Sequence, residues 1–278
     1  MPRGVLTLRL DATEGIRIVT HAEDVQRLAE EFWTIGKVPH DPFTTAFLAT
    51  CQSHTIKVDG KPYKYYQAGA GPTVLLVHGV HSYLGSMVPV ATALLEQNCQ
   101  VVLFDAPAHG AAPGTSTDPV EASGLIRALY DRLDGLRAVV CHSLGGLWAL
   151  AAWHSGVRAT TFVSISTPSD MQFLVDKFVE MRQIAADQVP DLVRLLEGRV
   201  GEGLWTDYSP AEIVKTIDIP GLILHGTADE FVPPEHAGRL HASWRRSTLE
   251  MIPGARHFDI LRSPEVLKII SKYLQEEM

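Results

Sequence analysis

Five short apolar runs set the tightest limit on how this chain can fold: Thr73–Val77, Gln100–Phe104, Ala138–Cys141, Thr160–Ile165 and Gly221–Leu224. Each is four to six residues long, rich in Val, Leu and Ile, and none alternates with polar residues. That pattern reads as central strands covered on both faces. Helix starts fall between them. Asp118-Pro119-Val120-Glu121 offers an N-cap acid, a proline at the first helical position and a glutamate at the third. Ser263-Pro264-Glu265 opens a last amphipathic helix through Val266, Ile269, Ile270 and Leu274. Upstream, Ser53–Val58 and Tyr63–Gln67 flank the turn Asp59-Gly60 and read as an antiparallel hairpin feeding the sheet. The expected fold class is α/β, a mostly parallel, doubly wound sheet with an antiparallel N-terminal hairpin.

Two segments break the rhythm. Residues 1–52 precede the hairpin, with helical patterns at Ala22–Ile35 and around Pro42–Thr50. A packed arm, a dimer arm and part of a pocket wall are the three roles open to them. Residues 169–216 lie between two core strands and are far longer than a loop. Met171, Leu174, Val175, Phe178, Met181 and Ala185 recur there at helical spacing, and Val189–Val200 follows as a second helix. After a Trp205–Tyr208 bend, Ser209-Pro210-Ala211-Glu212 reads as a capping box. An inserted helical hairpin is expected to act as a short lid, leaving residues 53–168 and 217–278 as the core.

Composition narrows function by exclusion. A formal charge of −8 with no offsetting basic cluster argues against a nucleic-acid partner. Met1–Asp11 alternates rather than forming an apolar stretch, and no run approaches the roughly 18 apolar residues of a membrane span. The three cysteines, Cys51, Cys99 and Cys141, are odd in number and lack C-x-x-C spacing. They fit a reduced cytoplasmic setting without a disulfide framework. His78 and His81 have no third ligand at a recognisable spacing, so neither a metal nor a cofactor is expected. The expected partner is a small-molecule substrate, and monomer and homodimer both stay open.

The chemistry gathers around Cys141-His142-Ser143-Leu144-Gly145-Gly146, between an apolar run and a helical pattern. A serine on a sharp strand-to-helix turn thrusts its hydroxyl clear of the backbone. The usual pattern is G-x-S-x-G, and here Cys141 takes the first glycine's place. Cysteine adds one small group, and a buried filler is the favoured reading for it over a redox switch. A serine hydroxyl needs a base, and the base needs an acid to hold its tautomer. Both follow at expected strand ends: Asp229 in His225-Gly226-Thr227-Ala228-Asp229, and His257 in Gly254-Ala255-Arg256-His257-Phe258. Glu230 and Asp170 are the rival acids. The plain alternative for Ser143 is a helix N-cap. His225 reads as a packed structural residue, and Asp105 and His109 as organisers of their loop.

The order Ser, Asp, His resembles the α/β-hydrolase superfamily, in its serine-nucleophile, esterase- and lipase-like branch. The resemblance runs over roughly residues 54–278. It is carried further by His78-Gly79, Asp105-Ala106-Pro107-Ala108-His109-Gly110, His225-Gly226-x-x-Asp229 and Gly254-x-x-His257-Phe258. It implies a Ser143–His257–Asp229 triad and an oxyanion hole. The elbow's geometry nominates the Leu144 amide as one donor, and the resemblance implies Val80 as the other. His81, His142, Phe173, Phe178, Trp205, Val232 and Phe258 are the expected pocket residues. An ester hydrolase is the leading expectation. Thioesterases, amidases, carbon–carbon bond hydrolases, lyases, perhydrolases and ligand sensors of the same fold share the pattern.

Overall fold

The computed structural model describes residues 6–11 and 15–277. Strands β1 (Leu6–Asp11) and β2 (Gly15–Thr20) form a separate antiparallel pair and lead into helices α1 (His21–Trp33) and α2 (Pro42–Leu48). The main sheet opens with β3 (Gln52–Val58), β4 (Lys61–Ala68) and β5 (Thr73–Val77). Next come α3 (Val88–Leu95), β6 (Gln100–Phe104), α4 (Pro119–Tyr130), β7 (Ala138–His142), α5 (Leu144–His154) and β8 (Thr161–Ile165). The long insertion holds α6 (Met171–Arg182), α7 (Val189–Val200) and the short α8 (Pro210–Ile213). After it come β9 (Gly221–Gly226), α9 (Glu235–Ser243), β10 (Ser247–Ile252) and α10 (Pro264–Glu276).

The eight-stranded sheet has the order β10-β9-β8-β7-β5-β6-β4-β3. All neighbours from β10 to β6 are parallel, while β4 runs antiparallel to β6 and β3 antiparallel to β4. The β3–β4 hairpin closes at Val58↔Lys61, and its turn residues Asp59 and Gly60 have φ of 48° and 77°. Two left-handed residues in a two-residue turn match the twist of the strands they join. The unbroken apolar runs are explained by burial on both faces. Leu75 and Val77 of β5 join one apolar layer with α4, α5 and α9, while Val74 and Leu76 join the other with α3 and α10.

Chain order places the site. β6 lies on one side of β5 and β7 on the other, so the loops after β5 and β7 diverge and leave a crevice at the strands' carboxyl ends. Ser143 follows β7 directly, and Asp229 and His257 lie on the loops after β9 and β10.

The alternation over Met1–Asp11 is a strand from Leu6 onward, and Met1–Val5 lie outside the described residues. One local reading differs from the structure. Ser209 makes no capping bond to α8. Its hydroxyl instead accepts the amide of Met171, 3.2 Å away at the start of α6. Ser209 is buried against α6, and a tertiary partner displaces the local one that the sequence motif suggests.

Candidate active site

Ser143 sits at φ 54° and ψ −130°, in the left-handed region that a side chain seldom enters. Such a backbone costs on the order of 1–3 kcal/mol and persists only where the surroundings hold it. The Ser143 amide donates to the Ile165 carbonyl (2.9 Å), and its side chain makes no capping bond to α5. Ser143 holds the N-cap position, but the side-chain cap of the plain alternative is missing. Two glycines let the turn close. A Cβ on Gly145 would collide with the carbonyl oxygens of Val77 and His78, and one on Gly146 would collide with the Thr167 side chain. Gly79, on the loop after β5, passes so near that a Cβ there would stand 2.8 Å from Ser143 Cβ.

Cys141 occupies the strand before the turn. It is fully buried, and its thiol donates to the Val163 carbonyl at 3.3 Å. Burial pushes the thiol pKa up to about 12, so it stays protonated.

The expected acid and the expected base lie together. His257 Nδ1 lies 2.8 Å from Asp229 Oδ2, and Asp229 Oδ1 accepts the amides of Phe231 (3.0 Å) and Val232 (2.9 Å). Burial alone would raise the Asp229 pKa. The hydrogen bonds from His257 and Val232 outweigh it and hold the carboxyl at about 2. An acceptor of this kind keeps the proton of His257 on Nδ1 and leaves Nε2 as the basic nitrogen. His225 donates from Nε2 to the Val232 carbonyl (2.8 Å) and braces the acid loop. The rival acids are engaged elsewhere: Glu230 pairs with Arg256, and Asp170 caps α6 through the Phe173 amide.

His142 is buried beneath the base. Its Nε2 donates to the His257 carbonyl at 2.8 Å, and the two rings lie 4.7 Å apart. Burial and the neighbouring His257 push its pKa down to about 3, so it stays neutral. On the loop after β5, His78 Nδ1 donates to the Gly79 carbonyl (2.8 Å) while Nε2 accepts the Ala106 amide (3.0 Å). Both its nitrogens are engaged within the protein. Asp105 accepts the amides of Leu84 and Ala111, 2.9 Å each, and bonds His40 at 2.7 Å.

A cavity of about 350 Å³ adjoins the elbow, with Val80, His81, Leu144, Leu147 and Trp148 on its core side. Phe178, from α6 of the insertion, lines it as well. The other five expected pocket residues do not. Phe173 packs on His236 with ring centres 4.2 Å apart, and the Trp205 indole donates to Glu197 at 2.6 Å. Val232 is buried in the acid loop, and His142 lies under His257. The Phe258 ring stands edge-on to His257 at 4.9 Å, half exposed. Helical spacing identifies the packed side of a helix, but not which of its residues reach a void. The lining residues Phe32, Trp33, Ile35, Trp148 and Phe231 escape sequence reasoning. The one available signal was the aromatic pair Phe32-Trp33 ending an amphipathic helix.

A parallel sheet with a strained serine at a strand-to-helix turn and a joined acid–base pair on later strand ends defines an α/β-hydrolase class of protein. The chain belongs to the alpha/beta hydrolase family, whose sequence model matches residues 74–268. Among curated sequences it is similar to the uncharacterized protein YfhR of Salmonella typhimurium, 28% identical over 196 residues, covering 67% of this chain and 64% of that protein. The YfhR of Salmonella typhi is 27% identical over 200 residues, with the same coverage of 67% and 64%. The chain thus spans about 64% of the length of these relatives. Among solved structures, an esterase of Pyrococcus furiosus superposes with a TM-score of 0.69 at 18% identity, covering 88% of this chain and 98% of that one. A meta-cleavage product hydrolase of Pseudomonas fluorescens gives 0.61 at 19% identity, over 81% and 98%. At such identities the likeness is one of fold. Among the described residues, no helix is long and apolar enough to cross a membrane.

Proposed function

We propose that this protein is a serine hydrolase that cleaves a small ester-type substrate through an acyl-enzyme. The observation that carries the reading is the left-handed backbone of Ser143 at the β7–α5 turn, a strain with no capping role to explain it. His257 takes the proton from the Ser143 hydroxyl as the oxygen attacks the substrate carbonyl. The backbone amides of Val80 and Leu144 stabilise the oxyanion, and losing one such donor typically costs roughly 3–4 kcal/mol of barrier. The imidazolium, steadied by Asp229, passes its proton to the leaving alcohol as the carbon–oxygen bond breaks. Water then gives a proton to His257 and attacks the acyl carbon, and release of the acid returns the proton to Ser143. The esterase of like fold makes ester chemistry the first reading among those the triad can perform.

A fluorophosphonate probe together with p-nitrophenyl butyrate tests this. The wild type is expected to label at Ser143 and to release p-nitrophenol. Ser143→Ala should lose the label, and both it and His257→Ala should lose roughly 10³-fold or more in kcat. Labelling at another residue, or full turnover by Ser143→Ala, sinks the proposal.

A further inference from the structure

The cavity has a wall that the family-matched segment does not supply. Phe32 and Trp33, at the end of α1, and Ile35, just after it, line the cavity opposite Leu144 and Leu147. Leu174 and Phe178 of α6 line it too. All of these lining positions except Leu144, Leu147, Leu174 and Phe178 precede residue 74, where the family match begins.

This wall is held from two sides. Toward the core, the Ile35 amide donates to the Thr115 carbonyl (2.9 Å) and the Thr117 amide to the Trp33 carbonyl (3.0 Å). Toward the lid, Phe32 meets Phe178 edge-on at 5.2 Å, and Arg182 pairs with Glu31 at 2.7 Å. Trp33 and Ile35 are buried, at 6% and 8% exposure. The charged groups bordering the cavity already have partners in the protein: Lys177 pairs with Glu180, Arg182 with Glu31, and Asp118 with Arg199. Apart from these and His81, Thr34 and Thr117, the lining is apolar.

We infer that residues 32–35 form the specificity wall of an acyl pocket, and that the preferred substrate carries an unbranched or phenyl-ended acyl group of about ten carbons, gripped between α1 and α6. The inference rests on the serine-hydrolase reading and goes beyond it in naming the acid half of the substrate. Val80 and Leu144, the proposed oxyanion donors, lie in this same cavity, so a carbonyl held by them extends its acyl side into it. The leaving group departs past His257 on the side of Phe258, which is outside this cavity and 45% exposed. An engineered apolar cavity of about 150 Å³ takes up benzene, so this one has room for roughly twice that. An acetyl group leaves it largely unfilled. Each further methylene buried is expected to raise kcat/KM about three- to fourfold until the cavity is full.

The test is kcat/KM across p-nitrophenyl acetate, butyrate, octanoate and decanoate. The wild type should rise by roughly 10²-fold or more from the acetate to the octanoate or decanoate. Ile35→Phe from the α1 side and Leu174→Trp from the lid side narrow the same void. Each should cut the decanoate-to-acetate ratio at least about tenfold, while Gln26→Ala, on the exposed face of α1, should leave it unchanged. A wild-type series that falls with chain length, or a ratio unmoved by both filling variants, overturns the inference and leaves the hydrolase reading standing. If no ester is turned over, the hydrolase reading fails and binding decides the pocket instead. Calorimetry with decanoate and 4-phenylbutyrate on the folded Ser143→Ala protein should then show binding that Ile35→Phe weakens about tenfold. No binding, or binding indifferent to Ile35→Phe, overturns the inference.

Discussion

The thiol of Cys141 stands two residues before a serine whose backbone is strained, in a place where glycine is usual, yet it disturbs nothing. Its side chain joins the apolar layer that holds α4, α5 and α9, and the thiol is satisfied by the Val163 carbonyl. The crowding that forbids a side chain falls instead on Gly79, Gly145 and Gly146. A thiol held protonated and out of solvent is a poor target for oxidants and alkylating agents. Maleimide labelling under native conditions should therefore spare Cys141, and Cys141→Gly should retain ester turnover within about threefold of wild type, with unchanged sensitivity to peroxide. Rapid native labelling of Cys141, or peroxide resistance gained by Cys141→Gly, would mean that the thiol is a switch. Neighbouring groups are fixed with equal economy. His142, adjacent to Ser143 in sequence, reaches the backbone of His257, 115 positions away, and so ties the elbow to the base loop.

Among the elements, the insertion between β8 and β9 shows how a local motif can be taken over. Asp170 caps α6 through the Phe173 amide, as an acid before a helix should. The Met171 amide is taken by Ser209 from the far end of the insertion, where the Ala211 amide also donates to the Ser169 carbonyl (2.8 Å). The two ends of residues 169–216 are thereby stitched together over the core. Ser209→Ala should destabilise the protein by about 1 kcal/mol, since it orphans a buried amide and removes no exposed cap. Urea denaturation measures this, and a change below about 0.3 kcal/mol would mean that the bond contributes little. The elbow is the opposite case. Its sequence pattern is legible because the residues that shape the turn, Ser143, Gly145 and Gly146, are consecutive or nearly so, although the neighbours that require them come from elsewhere in the chain.

At the scale of the molecule, the segment after α1 is joined to the core by a part-buried pair. His40 lies 2.7 Å from Asp105, whose carboxylate also accepts the Leu84 and Ala111 amides, and the His40 ring stacks on Tyr83 at 5.5 Å. The Asp105 hydrogen bond outweighs burial and raises the His40 pKa above 6.5. Burial pulls the Asp105 carboxyl upward, but the bond from His40 and its other donors bring it below 3.8. Stability from the raised imidazole is complete below 6.5 and fades as pH climbs through its folded value. Stability from the lowered carboxyl is complete above 3.8 and fades as pH drops through its folded value. The Tm gap between wild type and His40→Gln should thus be widest between pH 3.8 and 6.5 and narrow at higher pH. A gap independent of pH would show that His40 acts by packing alone.

Much of this architecture is local and was legible in the chain. Run length and composition specify strands buried on both faces, because such strands have no polar side to show to water. Asp118 and Ser263 start their helices as their caps imply. The glycine-framed turn and the loop positions of Asp229 and His257 follow from those elements, since side chains at neighbouring strand ends share one edge of a parallel sheet. The cavity wall is different in kind. Phe173 and Phe178 share α6, yet one packs on His236 and the other lines the void. Phe32, Trp33 and Ile35 reach it only because α1 is pinned between the loop at Thr115–Thr117 and the lid. A hydrophobic period tells a residue to leave water, and any apolar neighbour satisfies it. Which neighbour it finds is set by how distant elements pack, and only the tertiary structure decides that.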